Sequence, residues 1–593
     1  MTATRAVDLP EQAPDEPPQA RSVVLTLTSH AMRLLLLVCA GLLLQIGWVT
    51  VWTLSYRLTH GDGFSYQYLT SQTPVWEKLQ DALQLANTLA PGFEPPVSID
   101  ILVYSLILAF VVASVGYLGG VLLIDLGVAA VKGTLVVVMV WELVYQVTLF
   151  LLPGLYTTDI FSYVMYGQIS AIYNLNPYIY PPNYFPGNEL LNWIHPIWHD
   201  QPSVYGPLWT DLAWVFARMI EPLELYQQVL AYKVAMNVVQ LVNLGLVWWL
   251  LGRLMSSSRA RLTAFALFAW NPLMLFDGPG NAHNDVFMVT LLLLGVVPLT
   301  FGLKSRNWIA GTFFVGMSAL IKYTTGIVGL FYIVPWARMI PSWPKRILWL
   351  GATGALITGT TLVLFKPWLD DPRAIQPILT AANGKSWQYS NSAPDIIALH
   401  IDNELLHTPS PDVGAEDHFY LYRDLYSTPT TNDTRQNTKN ITRLIFVAFL
   451  VWECWGLWRF AGRRGRQAYR GSRDREVIDA VLSSSVRAFI VLIVLVLPWV
   501  LDWYWMWPLA LAALLGWQRM LTKVVVAYTL TCLPIFYLHH YWSWNTPSSL
   551  IFLYVVPPLL LPVVGWLYQR LRPSASRQLR VGSMMTAPSM VGE

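Results

Sequence analysis

Asp159 is the acid in this chain best placed to do chemistry. The run VWELVYQVTLFLLPGL, residues 140–155, is apolar enough for lipid; it breaks at Pro153-Gly154, and YTTDIFSYVMYGQ follows. A carboxylate at the lip of a bilayer, backed by aromatic rings, is costly to keep ionised. Within reach of a hydroxyl, it can take that hydroxyl's proton. Further along, His283-Asn284-Asp285 lies at the tip between two apolar runs, and Lys322 interrupts another. Such a lysine either meets an anion or snorkels to the interface. Each of these residues also has a plain structural reading. Asp159 could N-cap the helix it opens, and Asn284 or Asp285 could cap the next. His195 and His199, with Asp200, have a spacing that could suit metal ligands on a helix face. Pro196 and the lack of a third clear ligand argue against it, so no metal or other cofactor is expected. Glu142 and Glu453 lie inside apolar runs, where an acid is a functional candidate by default.

These residues depend on membrane helices for their placement. The chain has 593 residues, 55% hydrophobic and only 12% charged, where soluble domains carry about 25% charge. Apolar runs near 31–54, 101–125, 134–153, 228–251, 262–277, 286–302, 308–321, 325–337, 347–366, 441–460, 486–501, 507–518, 524–539 and 548–568 suggest an all-α polytopic bundle of about 12–14 helices, several of them shorter than a full span. Residues 1–29 read as a polar cytoplasmic tail, 30–570 as the membrane domain and 571–593 as a second tail. Arg253, Arg259 and Arg261, Lys304 and Arg306, Lys345 and Arg346, and the arginines of 463–475 share one set of loops. The loops at 56–98, 154–226 and 367–440 form the other set; the second of these is acidic. Positive loops face the cytoplasm, so both termini are expected inside and Asp159 outside. The net charge of +3 is small, and no nucleic-acid partner is expected. Cys39, Cys454 and Cys532 have no spacing pattern and read as small buried hydrophobes. The outward loop 154–226, rich in Trp, Tyr and Pro, suits interfacial helices lying on the membrane.

Five segments resemble, in order, the GT-C glycosyltransferase superfamily. YTTDIFSYVMYGQISAIYNLNPYIYPP is similar to its first outward loop, where an Asp after a membrane helix precedes an aromatic helix and an N-P-Y turn. PSVYGPLW (202–209), WNPLMLFDGPGNAHNDVFMV (270–289), ALIKYTTG (319–326) and DWYWMWPL (502–509) resemble elements of the polyprenyl-phosphomannose-dependent mannosyltransferases. The resemblance covers roughly 130–510 and is closest to α-mannosyltransferases that extend mannan-type lipoglycans. Lys322 is followed by Tyr-Thr-Thr where Leu-Pro is common.

The resemblance implies a cell-membrane enzyme whose partners are a polyprenyl-phosphate-sugar donor, a glycan or glycolipid acceptor and membrane lipids. It would transfer a sugar, mannose by resemblance, on the extracytoplasmic face with inversion to an α-linkage, α1,6 among the options. Asp159 would be the general base. Lys322, His283, Asn284, Asp285 and Tyr205 would bind donor phosphate and sugar, with Asp285 holding the histidine or binding sugar hydroxyls. Tyr163, Asn176, Tyr178, Asp200, Trp503 and Tyr504 would line the acceptor side or the pocket. Lys385 and Arg373 are weaker candidates. Two rival classes remain: a transporter or lipid-linked sugar flippase coupled through Glu142 and Glu453, and an oligosaccharyltransferase-like enzyme.

Overall fold

The computed structural model describes residues 30–58, 99–127, 133–152, 155–195, 198–375, 394, 397–398, 401, 429–463, 470–497, 500–542 and 556–561. Most of the loops at 56–98 and 367–440 falls outside these residues, as do Lys385, Pro153-Gly154 and both tails. In chain order the main helices are α1 His30–Leu58, α2 Ile99–Leu126, α3 Thr134–Phe150, α4 Asp159–Ala171, α5 Pro207–Ile220, α6 Leu225–Leu254, α7 Ser258–Ala269, α8 Pro272–Leu275, α9 Asp285–Val296, α10 Ser305–Ala319, α11 Ile327–Met339, α12 Trp343–Phe365, α13 Pro429–Arg463, α14 Arg470–Val491, α15 Met506–Leu515 and α16 Met520–Trp542. The protein is an all-α polytopic membrane protein; among the described residues no strand forms.

Among the described residues, seven helices are long and apolar enough to cross a membrane. Other apolar runs fold as shorter helices, and the shortest of these make the centre. From Leu262 to Asp285 every residue is buried, as is Met506–Leu515 in α15. Long α12 and α13 stand at the rim, with Ile347, Val363, Val451 and Trp452 exposed. Membrane helices can break where neighbours cover the freed backbone groups, and these central pieces are so covered. The break is sharpest at 276–280, a π turn containing Pro279, where α8 and α9 bend by 117°. Proline lacks the N–H that would continue the ladder. The antiparallel pair α1 and α2 packs through small residues: a Cβ on Gly47 would lie 2.7 Å from the Ala109 carbonyl, and one on Gly116 2.5 Å from Leu44 N.

Two intramembrane groups are spent on this framework. Glu453 of α13 takes both guanidinium arms of Arg487 on α14, at 2.6 and 2.8 Å, and the Ser484 hydroxyl at 2.7 Å. The bidentate pair braces the two helices. Lys233 of α6, fully buried, donates to the Leu149 carbonyl at 3.3 Å, at the carbonyl end of α3 where a cation is favoured. Glu142 accepts from Gln146 at 2.9 Å, and its second oxygen has no partner. Cys532 is buried and Cys454 partly so, but Cys39 is exposed on the apolar α1, which corrects its expected burial.

Candidate active site

The segment between α3 and α4 is pinned before it delivers Asp159. Tyr156 donates its N–H to Asn281 Oδ1 at 3.1 Å and its hydroxyl to the Val51 carbonyl at 3.0 Å. Asp159 then opens α4, but the N-cap position is Thr158, with no side-chain cap bond. The Asp159 carboxylate turns instead to other elements. Its Oδ2 lies 3.5 Å from His283 Nδ1 and accepts from the Tyr163 hydroxyl at 3.4 Å. The same pattern holds at the start of α9. Asn284 occupies the N-cap position without capping, and its Oδ1 accepts from Tyr163 at 3.3 Å. Asp285 accepts from Lys322 Nζ at 2.5 Å and from Trp507 Nε1 at 2.6 Å. Capping is the usual use of Asp and Asn at helix starts. Here all three side chains reach across elements to one another's neighbourhood. Two helix N-termini thereby meet, which favours an anion between them.

The turn that presents His283 is strained. Ala282 has φ +62°, a left-handed conformation that costs a non-glycine residue about 1–2 kcal/mol. His283 is fully buried, its ring stacked on Trp503 with centroids 3.9 Å apart and planes 24° apart. Neither ring nitrogen has an aligned hydrogen-bond partner, and Asn284 Nδ2 and Thr324 Oγ1 also lack one. Buried polar groups without partners are rare and need a reason; a polar ligand supplies one.

Electrostatics separates the roles. Burial pushes the Asp159 pKa up, but the facing His283, the Lys322 charge and the Tyr163 hydroxyl outweigh it and hold the carboxyl below its ordinary value. Asp159 is therefore ionised at neutral pH and can accept a proton. Tyr163 is pushed well above its ordinary value by burial and then by Asp159, so it remains a donor. His195 falls to about 4, chiefly by burial and then by His199, with Asp159 acting the other way. Of the ionisable side chains here, Asp159 and Lys322 keep 18% and 15% exposure, while His283 and Asp285 have none. Asp159 and Lys322 are thus the two of these four groups that stay accessible.

Lys322 is set by the Tyr-Gly-Pro-Leu segment. Gly206 and Leu208 donate their N–H groups to the carbonyls of Ile321 and Leu320, at 2.9 and 3.0 Å. A Cβ on Gly206 would lie 2.2 Å from the Leu320 oxygen. Gly206→Ala is therefore expected to displace the Lys322 segment and cut turnover by about 10²-fold. Transfer assays beside melting curves check this, and wild-type transfer would show that the approach is not needed.

The structure brings together Asp159, Tyr163, His283, Asn284, Asp285, Lys322, Trp503 and Tyr504, whose ring lies 5.9 Å from Lys322 Nζ. Other expected site residues serve the scaffold. Asn176 donates to the Trp368 carbonyl at 2.6 Å and accepts from the Tyr178 N–H. Tyr178, fully buried, bonds Thr210 and the Tyr205 carbonyl, both at 2.9 Å. Tyr205 packs edge-on to Tyr163 at 5.3 Å. Asp200 is exposed and holds Asn183. Asp285 is committed to Lys322 and Trp507, while Asp159 faces the histidine. His199 bonds the Ile194 carbonyl at 2.9 Å, and Arg373 pairs with Asp371 at 2.6 Å. Sequence reading passed over Trp507, Asp277 and Asp502. The two acids stand in apolar stretches within motifs already singled out, and that was the available signal.

The family model for the N-terminal domain of α-(1→6)-mannopyranosyltransferases matches residues 71–338. That stretch holds Asp159, Tyr163, His283, Asn284, Asp285 and Lys322, while the 502–507 group and Arg373 lie beyond it. The chain is 25% identical over 406 residues to α-(1→6)-mannopyranosyltransferase A of Mycobacterium tuberculosis, across 68% of this chain and 70% of that enzyme. It is 27% identical to α-(1→6)-mannopyranosyltransferase B of Corynebacterium glutamicum, across 29% of each chain. With α-(1→6)-mannopyranosyltransferase A of the same organism it shares 28% identity, across 28% of this chain and 32% of that one. No solved structure matches the chain.

Proposed function

The chain belongs to the GT-C mannosyltransferases, and from that premise we propose that it moves mannose from a polyprenyl-phosphate donor to a glycan or glycolipid acceptor on the extracytoplasmic face, inverting to an α1,6-linkage. The observation that carries this reading is an ionised Asp159 on the open side of the site, within electrostatic reach of Lys322. The acceptor hydroxyl loses its proton to Asp159 as its oxygen attacks the anomeric carbon. The bond from that carbon to the phosphate oxygen breaks, and polyprenyl phosphate leaves with the electron pair. Lys322 meets the growing phosphate charge. Single displacement turns a β-linked donor into an α-linked product. The lipid tail of such a donor lies in the bilayer, which suits a site built at the ends of membrane helices.

Membranes carrying the protein, given labelled polyprenyl-phosphate-mannose and short α-mannosides, are expected to yield an α1,6-extended product by linkage analysis. A β-linked product sinks the single-displacement mechanism, and no mannosyl product sinks the substrate assignment.

A further inference from the structure

Two buried acids flank His283, and neither has been given a task. Asp277 lies in the π turn, where its carbonyl accepts the His283 N–H at 3.2 Å and its Oδ1 accepts from Asn281 at 3.0 Å. Asp502 opens the 3-10 turn Asp502–Trp505, and the next residue, Trp503, is the one stacked on His283. Asp277 thus holds the histidine's backbone, and Asp502 stands next to the tryptophan that stacks on its ring. Their carboxyl groups meet each other as hydrogen-bonding neighbours. Asp277 is fully buried and Asp502 nearly so. Asp277 Oδ2 and both Asp502 oxygens lack an aligned donor. Two facing carboxylates with only one donor between them repel and cannot both stay ionised in a dry site. One shared proton converts that repulsion into a charge-assisted bond.

We propose that Asp502 is a positioning residue for the transfer: it shares one proton with Asp277, and this proton-bridged pair clasps the two turns so that Trp503 holds His283 against Asp159. The clasp stands on its own geometry; only its effect on transfer rests on the reading of Asp159 as the base. Burial, and then the Asp277 charge, raise the Asp502 carboxyl well above its ordinary value; the nearby N–H groups of Trp503 and of Asp502 itself oppose this. The other titratable groups that act on the pair are His283 and Asp285. A raised carboxyl pKa gives stability that is complete below the ordinary carboxylate range and is lost as pH rises through the raised value.

The test uses the full chain in detergent. Its melting temperature is expected to fall as pH rises above the ordinary carboxylate range and through the raised value, and Asp502→Asn to remove at least about 3 °C of that fall. The asparagine amide donates to Asp277 at any pH. Asp277→Asn supplies the same bond from the other side and is expected to behave alike, which covers a poorly folding Asp502 variant. In transfer assays Asp502→Asn should extend the alkaline limb of kcat while KM for the mannoside holds. Melting curves parallel to the wild type in both variants overturn the shared proton. Flattened melting with an unchanged pH profile of transfer overturns the positioning role. If the wild type transfers no mannose, the reading of the previous subsection fails, and the melting curves still decide the clasp.

Discussion

Asp159→Asn is expected to lower mannosyl transfer by about 10²–10⁴-fold, the range a positioned general base supplies, with the fold and the donor affinity retained. The substitution keeps the side chain's size and removes its ability to take a proton. The helix start does not depend on it, because the cap position is Thr158. The donor phosphate is assigned to Lys322, which the substitution leaves in place. Stability should change in a defined direction. The carboxyl is held below its ordinary value, so its contribution is present above the ordinary carboxylate range and lost as pH falls through the lowered value. Wild-type and Asp159→Asn melting curves should therefore converge on acidification. Single-turnover transfer from labelled donor, beside equilibrium donor binding, measures both halves. Wild-type transfer by the variant removes Asp159 from the reaction.

Asp159, His283 and Lys322 were legible because each is a polar group in a place where polar groups are expensive. The cost of burial marks a residue without an alignment or a structure. The same reasoning misleads where a partner lies far along the chain. Glu453 reads as a transporter's coupling acid until Arg487, 34 residues later, meets it with both arms. Helix register across two long elements decides that pairing, and hydropathy does not carry it. Motif membership fails differently. Asn176 and Tyr178 sit in the N-P-Y segment that carries part of the resemblance, yet their polar atoms hold Trp368, Thr210 and the Tyr205 carbonyl. A residue that shapes a loop and one that touches substrate can occupy the same motif. Asp277 and Asp502 met the cost criterion that singled out Glu142 and Glu453; the dense aromatic and glycine context drew attention from them. Span length is hard to read from hydropathy for a physical reason too. The run 262–277, and 507–518 as far as residue 516, are buried on all sides by protein and so need not reach bilayer length.

Lys322→Ala is expected to abolish donor binding, but alone it cannot distinguish phosphate recognition from structure. Lys322 compensates Asp285, which is fully buried and accepts also from Trp507. Removing one partner of such a pair typically costs about 3–5 kcal/mol, since a charge is left buried and unpaired. The single variant should therefore melt much lower than the wild type. Lys322→Ala with Asp285→Asn removes both charges, and Trp507 can still donate to the amide oxygen. The double variant is expected to recover most of the lost stability and none of the donor affinity. That split is the informative outcome, because a purely structural lysine would regain binding together with the fold. Melting curves and titration with polyprenyl-phosphate-mannose give the two readings on the same preparation. Recovery of donor affinity in the double variant would place the phosphate elsewhere, leaving Lys322 as the counter-ion that keeps the start of α9 in position.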